Sequence, residues 1–136
     1  MALSFTTAVR NARQDAITTA TGNAALLRIY DATGGVPASA NAAIGSNVLL
    51  AELTCATPFA AGAASAALTL GTITQDSSAN ATGTAAHFRI YKADGTTVIA
   101  QGTVSSTSGD LVLNTTSIVS GGPVQVSSMV WTDGNA

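Results

Sequence analysis

The sequence has very few charged side chains. Lys, Arg, Asp and Glu together make up 9% of its 136 residues, and 5 Lys+Arg against 7 Asp+Glu give a net charge of −2. An ordinary soluble domain has roughly 25% charged residues. Because a phosphate backbone is bound through clustered cations, this composition excludes an electrostatic nucleic-acid binder. The low net charge also argues against a disordered acidic or basic chain. We therefore expect one folded domain whose surface is rich in hydroxyl and methyl groups and is largely covered by other protein subunits.

Cysteine and histidine are equally scarce, and their scarcity limits the possible chemistry. Cys55 is the only cysteine, so no internal disulfide can form, and its small and apolar neighbours indicate a buried thiol. His87 is the only histidine, whereas a zinc site needs several Cys or His ligands. The chain also has no Gly-x-Ser-x-Gly nucleophile motif, phosphate-binding glycine loop or dinucleotide fingerprint. We expect no catalytic residues, no metal and no cofactor.

Long apolar runs are absent as well. No stretch approaches the ~20 apolar residues that a membrane span requires. Arg10, Arg13 and Asp15 interrupt the region where a signal peptide would have its apolar run. The sequence therefore predicts a soluble product without a membrane partner, made in a host cytoplasm.

Residues 1–22 differ from the rest of the chain and form either a helix or an extended arm. Apolar side chains recur at helical spacing, at Phe5, Val9, Ala12 and Ala16. Ser4 is placed to cap the start of a helix, and Gly22 lies just past its end. Several β-branched threonines reduce the helix propensity, so an arm that reaches a neighbouring subunit is the alternative.

Residues 23–136 have the pattern of short strands separated by turns. Gly, Asn, Asp, Ser and Pro clusters bound each segment, and Asp94-Gly95 is typical of a tight hairpin. An all-β, antiparallel β-sandwich, in the form of a jelly roll of about eight strands, fits this spacing best. The candidate strands are 24–31, 48–54, 66–74, 85–92, 96–104, 110–113, 116–120 and 124–131.

Two segments of the chain resemble each other. Residues 22–34 align with residues 83–95 at an offset of 61, with eight of thirteen positions identical. Each copy leads into an apolar strand, although residues 35–47 make the first connection longer. The similarity indicates a duplicated hairpin or a shared packing role, or it is a coincidence within a sequence of low complexity.

Alternation along these two copies assigns their side chains to opposite faces. Leu27, Ile29, Phe88 and Ile90 are expected to point into the core. The other face would contact a partner, because Arg and Tyr are enriched in protein interfaces. Its alternative is a solvated face on which tyrosine rings cover the arginine stems. The candidate interface residues are Arg28, Tyr30, His87, Arg89 and Tyr91, together with Trp131 near the end of the last predicted strand.

Three segments, residues 26–31, 86–95 and 113–119, resemble small structural proteins of tailed bacteriophages. The chain is similar to the cement, or decoration, proteins on the heads of short-tailed phages. The resemblance covers residues 22–131 and implies a jelly-roll-like domain bound to the outer surface of the capsid. Its partners would be the major capsid protein and a second copy of the chain, as a dimer or alternatively a trimer. The other classes considered are a tail, neck or fibre-associated virion protein and a carbohydrate-binding β-sandwich module.

Overall fold

A computed structural model describes residues 1–133 as one α-helix followed by ten short strands. Each of the eight predicted strand segments contains a strand, and the last segment is divided at the buried Met129. The elements are α1 Thr7–Thr21, β1 Leu26–Tyr30, β2 Leu49–Thr54, β3 Ala67–Thr69, β4 Gly83–Thr84, β5 His87–Tyr91, β6 Val98–Ser105, β7 Leu111–Leu113, β8 Ser117–Ile118, β9 Val126–Ser128 and β10 Val130–Thr132.

The strands form one curled mixed sheet and two small sheets. The large sheet has the order β2-β1-β5-β6-β7-β9, and the two-stranded sheets are β10-β3 and β4-β8. The expectation of a purely antiparallel arrangement is wrong, because Val104 and Ser105 of β6 pair in parallel with β7. This is possible because a compact loop follows β6, in which the Ser105 hydroxyl oxygen accepts hydrogen bonds from the Thr107 and Ser108 amides. The fold is thus mostly β with one N-terminal helix.

The N-terminal segment is a helix, so the alternative of an extended arm is wrong for residues 7–21. Its N-cap is Thr6 rather than Ser4, and the Thr6 hydroxyl oxygen accepts a hydrogen bond from the Val9 amide at 3.4 Å. Gly22 ends the helix as predicted, with a φ of 74° that favours glycine.

The helix binds the β domain through its polar side. The Asp15 carboxylate accepts a hydrogen bond from the Ala63 amide at 2.7 Å, and the Asn11 side-chain oxygen accepts one from the Ala66 amide at 2.8 Å. The predicted apolar stripe is left on the outside, where Val9 is 44% exposed. This reverses the usual amphipathic arrangement, in which the apolar stripe faces the core.

The predicted core residues of the two similar segments are confirmed. Leu27, Ile29, Phe88 and Ile90 are at most 1% exposed and belong to one hydrophobic cluster. Cys55 is also buried in this cluster, as its neighbours predicted. Burial raises the pKa of its thiol to about 12, which makes it an unreactive packing group.

The two similar segments lie side by side in the sheet. Strands β1 and β5 pair antiparallel with Arg28 opposite Arg89, which are equivalent residues of the two copies. Strand β2 flanks β1 as β6 flanks β5, and each outer pairing has a register shift just before the tyrosine of its copy. The repeat therefore builds the centre of the sheet around a local twofold relation.

Candidate interaction surface

Arg89 lies at the centre of the face predicted to meet a partner, but the chain itself covers it. The residue is 3% exposed because the connection between β1 and β2 folds across this face. Its guanidinium donates hydrogen bonds to the Ser39 carbonyl at 3.1 Å and the Ala42 carbonyl at 2.6 Å. Its Nε donates to the Gln101 side-chain oxygen at 2.9 Å. Within residues 1–133, Arg89 has no carboxylate partner.

The covering loop has further anchors at both ends. The Gln101 amide nitrogen donates to the Pro37 carbonyl at 2.7 Å. The buried Asn47 side chain donates to the Thr33 and Gly35 carbonyls at 2.8 and 2.9 Å. Hydrogen bonds from side chains to backbone carbonyls of the loop therefore hold residues 35–47 over the sheet. These bonds replace the side-chain packing that a second layer would provide.

Arg28 is the equivalent residue of the first copy, and it is partly exposed. Its Nε donates to Glu52 Oε2 at 2.6 Å, and its guanidinium carbon lies 4.7 Å from the centre of the Tyr91 ring. Partial burial lowers the pKa of Arg28, but the hydrogen bond and charge of Glu52 outweigh that effect and the pKa is raised. Arg28 therefore stays protonated and accessible at the rim of the loop-covered face.

The two tyrosines and the histidine form a buried aromatic cluster beside Arg89 on the same face of the sheet. The Tyr30 and Tyr91 hydroxyls lie 3.2 Å apart, and the Tyr30 and His87 rings stack with centres 5.3 Å apart. Burial and the hydrogen bond with Tyr91 raise the pKa of Tyr30. Burial, together with the charge of Arg89, lowers the pKa of His87 and keeps its ring neutral near pH 7, with Asp31 opposing the shift.

The expectation that this whole face is open to a partner is therefore wrong for Tyr30, His87, Arg89 and Tyr91. Each is at most 6% exposed in the single chain. This burial has no strong signal in the sequence, because the covering loop is rich in Ala, Gly, Asn and Ser and has no apolar periodicity. The one available signal was the unusual length of the first connection relative to the second.

Trp131 lies apart from these residues, close to the helix. It sits on β10 opposite Leu68, and its ring packs against Phe59 and Phe88, with centres 5.8 and 6.4 Å apart. The Gln14 side-chain amide donates to its carbonyl at 3.4 Å. Trp131 is half-buried and lines a groove between α1 and β6, so it combines a core role with an accessible edge.

Nearly all the ionised side chains bond within the chain. Among residues 1–133, the side chain of every charged residue except Lys92 makes a hydrogen bond or ion pair within the chain. Most of the acids hold backbone amides: Asp94, for example, accepts from Thr96 and Thr97, and the hydrogen bonds with Thr97 are the main cause of its lowered pKa. The few charges thus serve as structural anchors, and the outer surface carries charge at low density.

Residues 1–133 contain no cluster of three or more His, Cys, Asp or Glu that could hold a metal ion. No helix in the same range is long and apolar enough to cross a membrane. Comparison with protein-family models, curated proteins and solved structures found no match.

Proposed function

We propose that this chain is a non-enzymatic virion structural protein, a capsid decoration protein that binds the outside of the major capsid protein shell. The observation that carries the proposal is the internal use of the ionised side chains. Arg89 fixes a loop, Arg28 pairs with Glu52, and Asp15 holds the helix on the β domain. What remains for an outside partner is a surface of hydroxyls, methyls and backbone.

A neutral surface favours dense packing of identical subunits. Copies that carry little external charge repel one another weakly when they stand side by side on a shell. Contacts that span adjacent capsomers and exist only in the expanded shell stabilise that state by mass action. Many copies of a modest interface then supply avidity without any chemistry.

The proposal includes a jelly-roll-like arrangement of the β domain. It is supported by a curled six-stranded sheet whose inner face is closed by small sheets around a single core. Such a scaffold has the rigidity that a bridging subunit needs. Arg28 and Trp131 remain the candidate interface residues, because both keep an accessible edge.

The test is reconstitution on particles. Purified chain is added to expanded heads that lack it, and cryo-EM measures the number and position of bound copies. We expect density on the outer surface between capsomers and a higher disassembly temperature. Because the surface carries few charges, occupancy should change little between about 50 mM and about 500 mM NaCl, a range over which exposed ion pairs are strongly screened.

Other outcomes separate the alternatives. Density confined to the tail, neck or fibres would replace the capsid role with another virion role. Absence from purified particles would refute both. Specific binding on a glycan array would support the carbohydrate-binding module instead. Arg28→Ala is the interface variant, and Lys92→Ala is its control, because within residues 1–133 the Lys92 side chain makes no hydrogen bond or ion pair.

A further inference from the structure

Two polar side chains of α1 bond to the segment before β3. Asp15 accepts from the Ala63 amide at 2.7 Å, and Asn11 accepts from the Ala66 amide at 2.8 Å. The bonded residues are 48 and 55 positions apart in the sequence. Both bonds are therefore tertiary contacts, which are lost when the helix leaves the β domain.

Three further side chains of α1 bond to β10 and to the residue after it. The Arg10 guanidinium donates to the Asp133 carbonyl, and the Gln14 side-chain amide donates to the Trp131 carbonyl at 3.4 Å. Arg13 forms an ion pair with Asp133, in which 3.2 Å separates the guanidinium nitrogen from the carboxylate oxygen. Because the Arg13 side chain is 52% exposed, water competes for this ion pair and it contributes little to holding the helix.

The apolar contact between α1 and the β domain is small. Ile17 is the one apolar residue of α1 that packs against the core. The other apolar residues of the helix are exposed, namely Ala8, Val9, Ala12, Ala16 and Ala20. Burial of apolar surface is the dominant favourable contribution when elements of a protein pack together. The helix therefore gains little of this contribution from its place on the domain.

Grooves flank the helix toward β6 and toward β10. The groove between α1 and β6 has a volume of about 430 Å³, and Phe88 and Ile99 lie in it. The groove between α1 and β10 has a volume of about 300 Å³. Ile17 and Trp131 line both grooves, so removal of the helix joins them into one surface. Atoms that line a groove lack packing partners on one side, which weakens the contact further.

Two buried polar atoms of α1 have no hydrogen-bond partner within residues 1–133. They are the side-chain oxygen of Gln14 and the hydroxyl oxygen of Thr18. A buried polar atom without a partner costs the free energy of its lost hydration. Both atoms regain bonds to water when the helix leaves the domain, so they favour its departure.

The helix is not stable on its own. It has 15 residues, and isolated helices of this length are marginal in water even when they are rich in alanine. Four of its residues are threonines, whose branched side chains lower the helix propensity. Once it leaves the domain, α1 therefore unfolds, and its amides become open to exchange together.

We propose that α1 is a strap that undocks from the β domain and unfolds while the sheet stays folded. The bonds of Asn11, Asp15 and Gln14 keep the strap closed. Undocking joins the two grooves and uncovers an apolar surface that contains Phe88 and Trp131. Local openings of this kind occur in elements with few buried apolar contacts. The strap is distinct from the proposed capsid role and does not depend on it.

The test is native-state hydrogen exchange of the full chain, measured amide by amide by NMR at several urea concentrations below the global unfolding transition. The amides of β5 are the reference, because His87–Tyr91 is buried along its whole length. We expect the α1 amides to be at least about tenfold less protected than the β5 amides. Their exchange should also depend less on urea, because undocking exposes less surface than global unfolding does.

Variants of Asp15 test whether a polar bond closes the strap. Asp15→Ala leaves the Ala63 amide without its acceptor and should lower the protection of α1 about tenfold, with β5 unchanged. Asp15→Asn keeps an acceptor oxygen and should restore most of the protection. Thr19→Ala is the control, because the Thr19 hydroxyl bonds only within the helix, to the Asp15 carbonyl. Alanine raises the helix propensity at both positions, so propensity alone would increase the protection in both variants.

Acrylamide quenching measures whether undocking uncovers Trp131, which is the only tryptophan. Quenching should be stronger in Asn11→Ala/Asp15→Ala than in the wild type, while β5 stays protected. Equal protection and equal urea dependence of α1 and β5 would refute the strap, because the helix would then open only in global unfolding. Loss of protection that is equal in α1 and β5 of Asp15→Ala would refute it too. Unchanged quenching in a double variant that has lost α1 protection would overturn the uncovered surface.

Discussion

Replacing Arg89 with methionine tests whether the loop of residues 35–47 depends on one buried cation. Arg89→Met keeps much of the aliphatic stem but removes the guanidinium. The variant loses the donors to the Ser39 and Ala42 carbonyls and to the Gln101 side chain. These acceptors lie between the loop and the sheet, where water replaces the lost donor only if the loop moves away.

The magnitude follows from two opposing contributions. Hydrogen bonds to a charged group contribute about 1.5 to 3 kcal/mol each, so three of them are worth about 4.5 to 9 kcal/mol. Removing the guanidinium also removes its desolvation penalty, which is several kcal/mol for a buried ion. We therefore expect a net loss of about 2 to 4 kcal/mol in the free energy of unfolding.

Arg28→Met is the matched control, because Arg28 is the equivalent residue of the first copy and lies directly opposite Arg89. Its ion pair with Glu52 is partly exposed, with side-chain exposures of 24% and 39%. Such a pair contributes up to about 1 kcal/mol, and the contact with the Tyr91 ring adds a comparable amount at most. Arg28 also donates a hydrogen bond to the Gly95 carbonyl at 2.9 Å, so the control should lose about 1 to 2 kcal/mol, less than Arg89→Met.

Urea denaturation measures the free energy of unfolding of both variants. Elastase, which cleaves after small apolar residues, measures access to the loop under native conditions. Arg89→Met should be cleaved within residues 35–47 much faster than the wild type, and Arg28→Met should be cleaved at the wild-type rate. If Arg89→Met is destabilised no more than Arg28→Met and its loop resists elastase equally well, Arg89 does not anchor the loop.

Three further predictions concern buried positions. The pKa of His87 is lowered in the folded state, so the unfolded chain binds more protons than the folded chain as the pH drops below the ordinary value of 6.5. The free energy of unfolding should therefore fall as the pH drops through that value. Urea titrations should show a smaller fall for His87→Phe. Gly102→Ala places a Cβ 2.6 Å from a Phe88 ring carbon and should lower the free energy of unfolding by about 1 to 3 kcal/mol. Gly62→Ala is its control, because a Cβ there has open space and should lower that free energy by less than about 0.5 kcal/mol in the same titration. The Cys55 thiol, with a pKa of about 12, should stay unmodified by a thiol reagent at pH 8 until urea unfolds the chain, and rapid native labelling would contradict its burial.

The alternation of apolar and polar side chains predicted the core side of the sheet. Leu27, Ile29, Phe88 and Ile90 lie where a period of two places them, because strand geometry sends successive side chains to opposite faces. The same rule fixed which side chains share the other face, but it could not show what covers that face. The covering of that face depends on a loop that is bonded to the sheet through its backbone carbonyl oxygens. Because every residue type has such an oxygen, these bonds cannot be predicted from the loop sequence.

The helix illustrates the same limit. Its end at Gly22 was predictable from local chemistry, because a positive φ favours glycine. Its orientation was not, since the apolar stripe of Phe5, Val9, Ala12 and Ala16 lies outside. Asn11 and Asp15 fix the helix to amides that are far away in the sequence, at Ala66 and Ala63.

By itself, the sequence determined the β-rich character of the chain, the positions of most strands and the inward face of the central pair. These are local properties of side-chain period and turn chemistry. Only the tertiary structure decided that the two similar segments pair with each other and that the first connection covers Arg89. These features depend on contacts between residues that are distant in sequence. Because most side chains of this protein are small, backbone groups make many of those contacts, and backbone groups leave no pattern in the sequence.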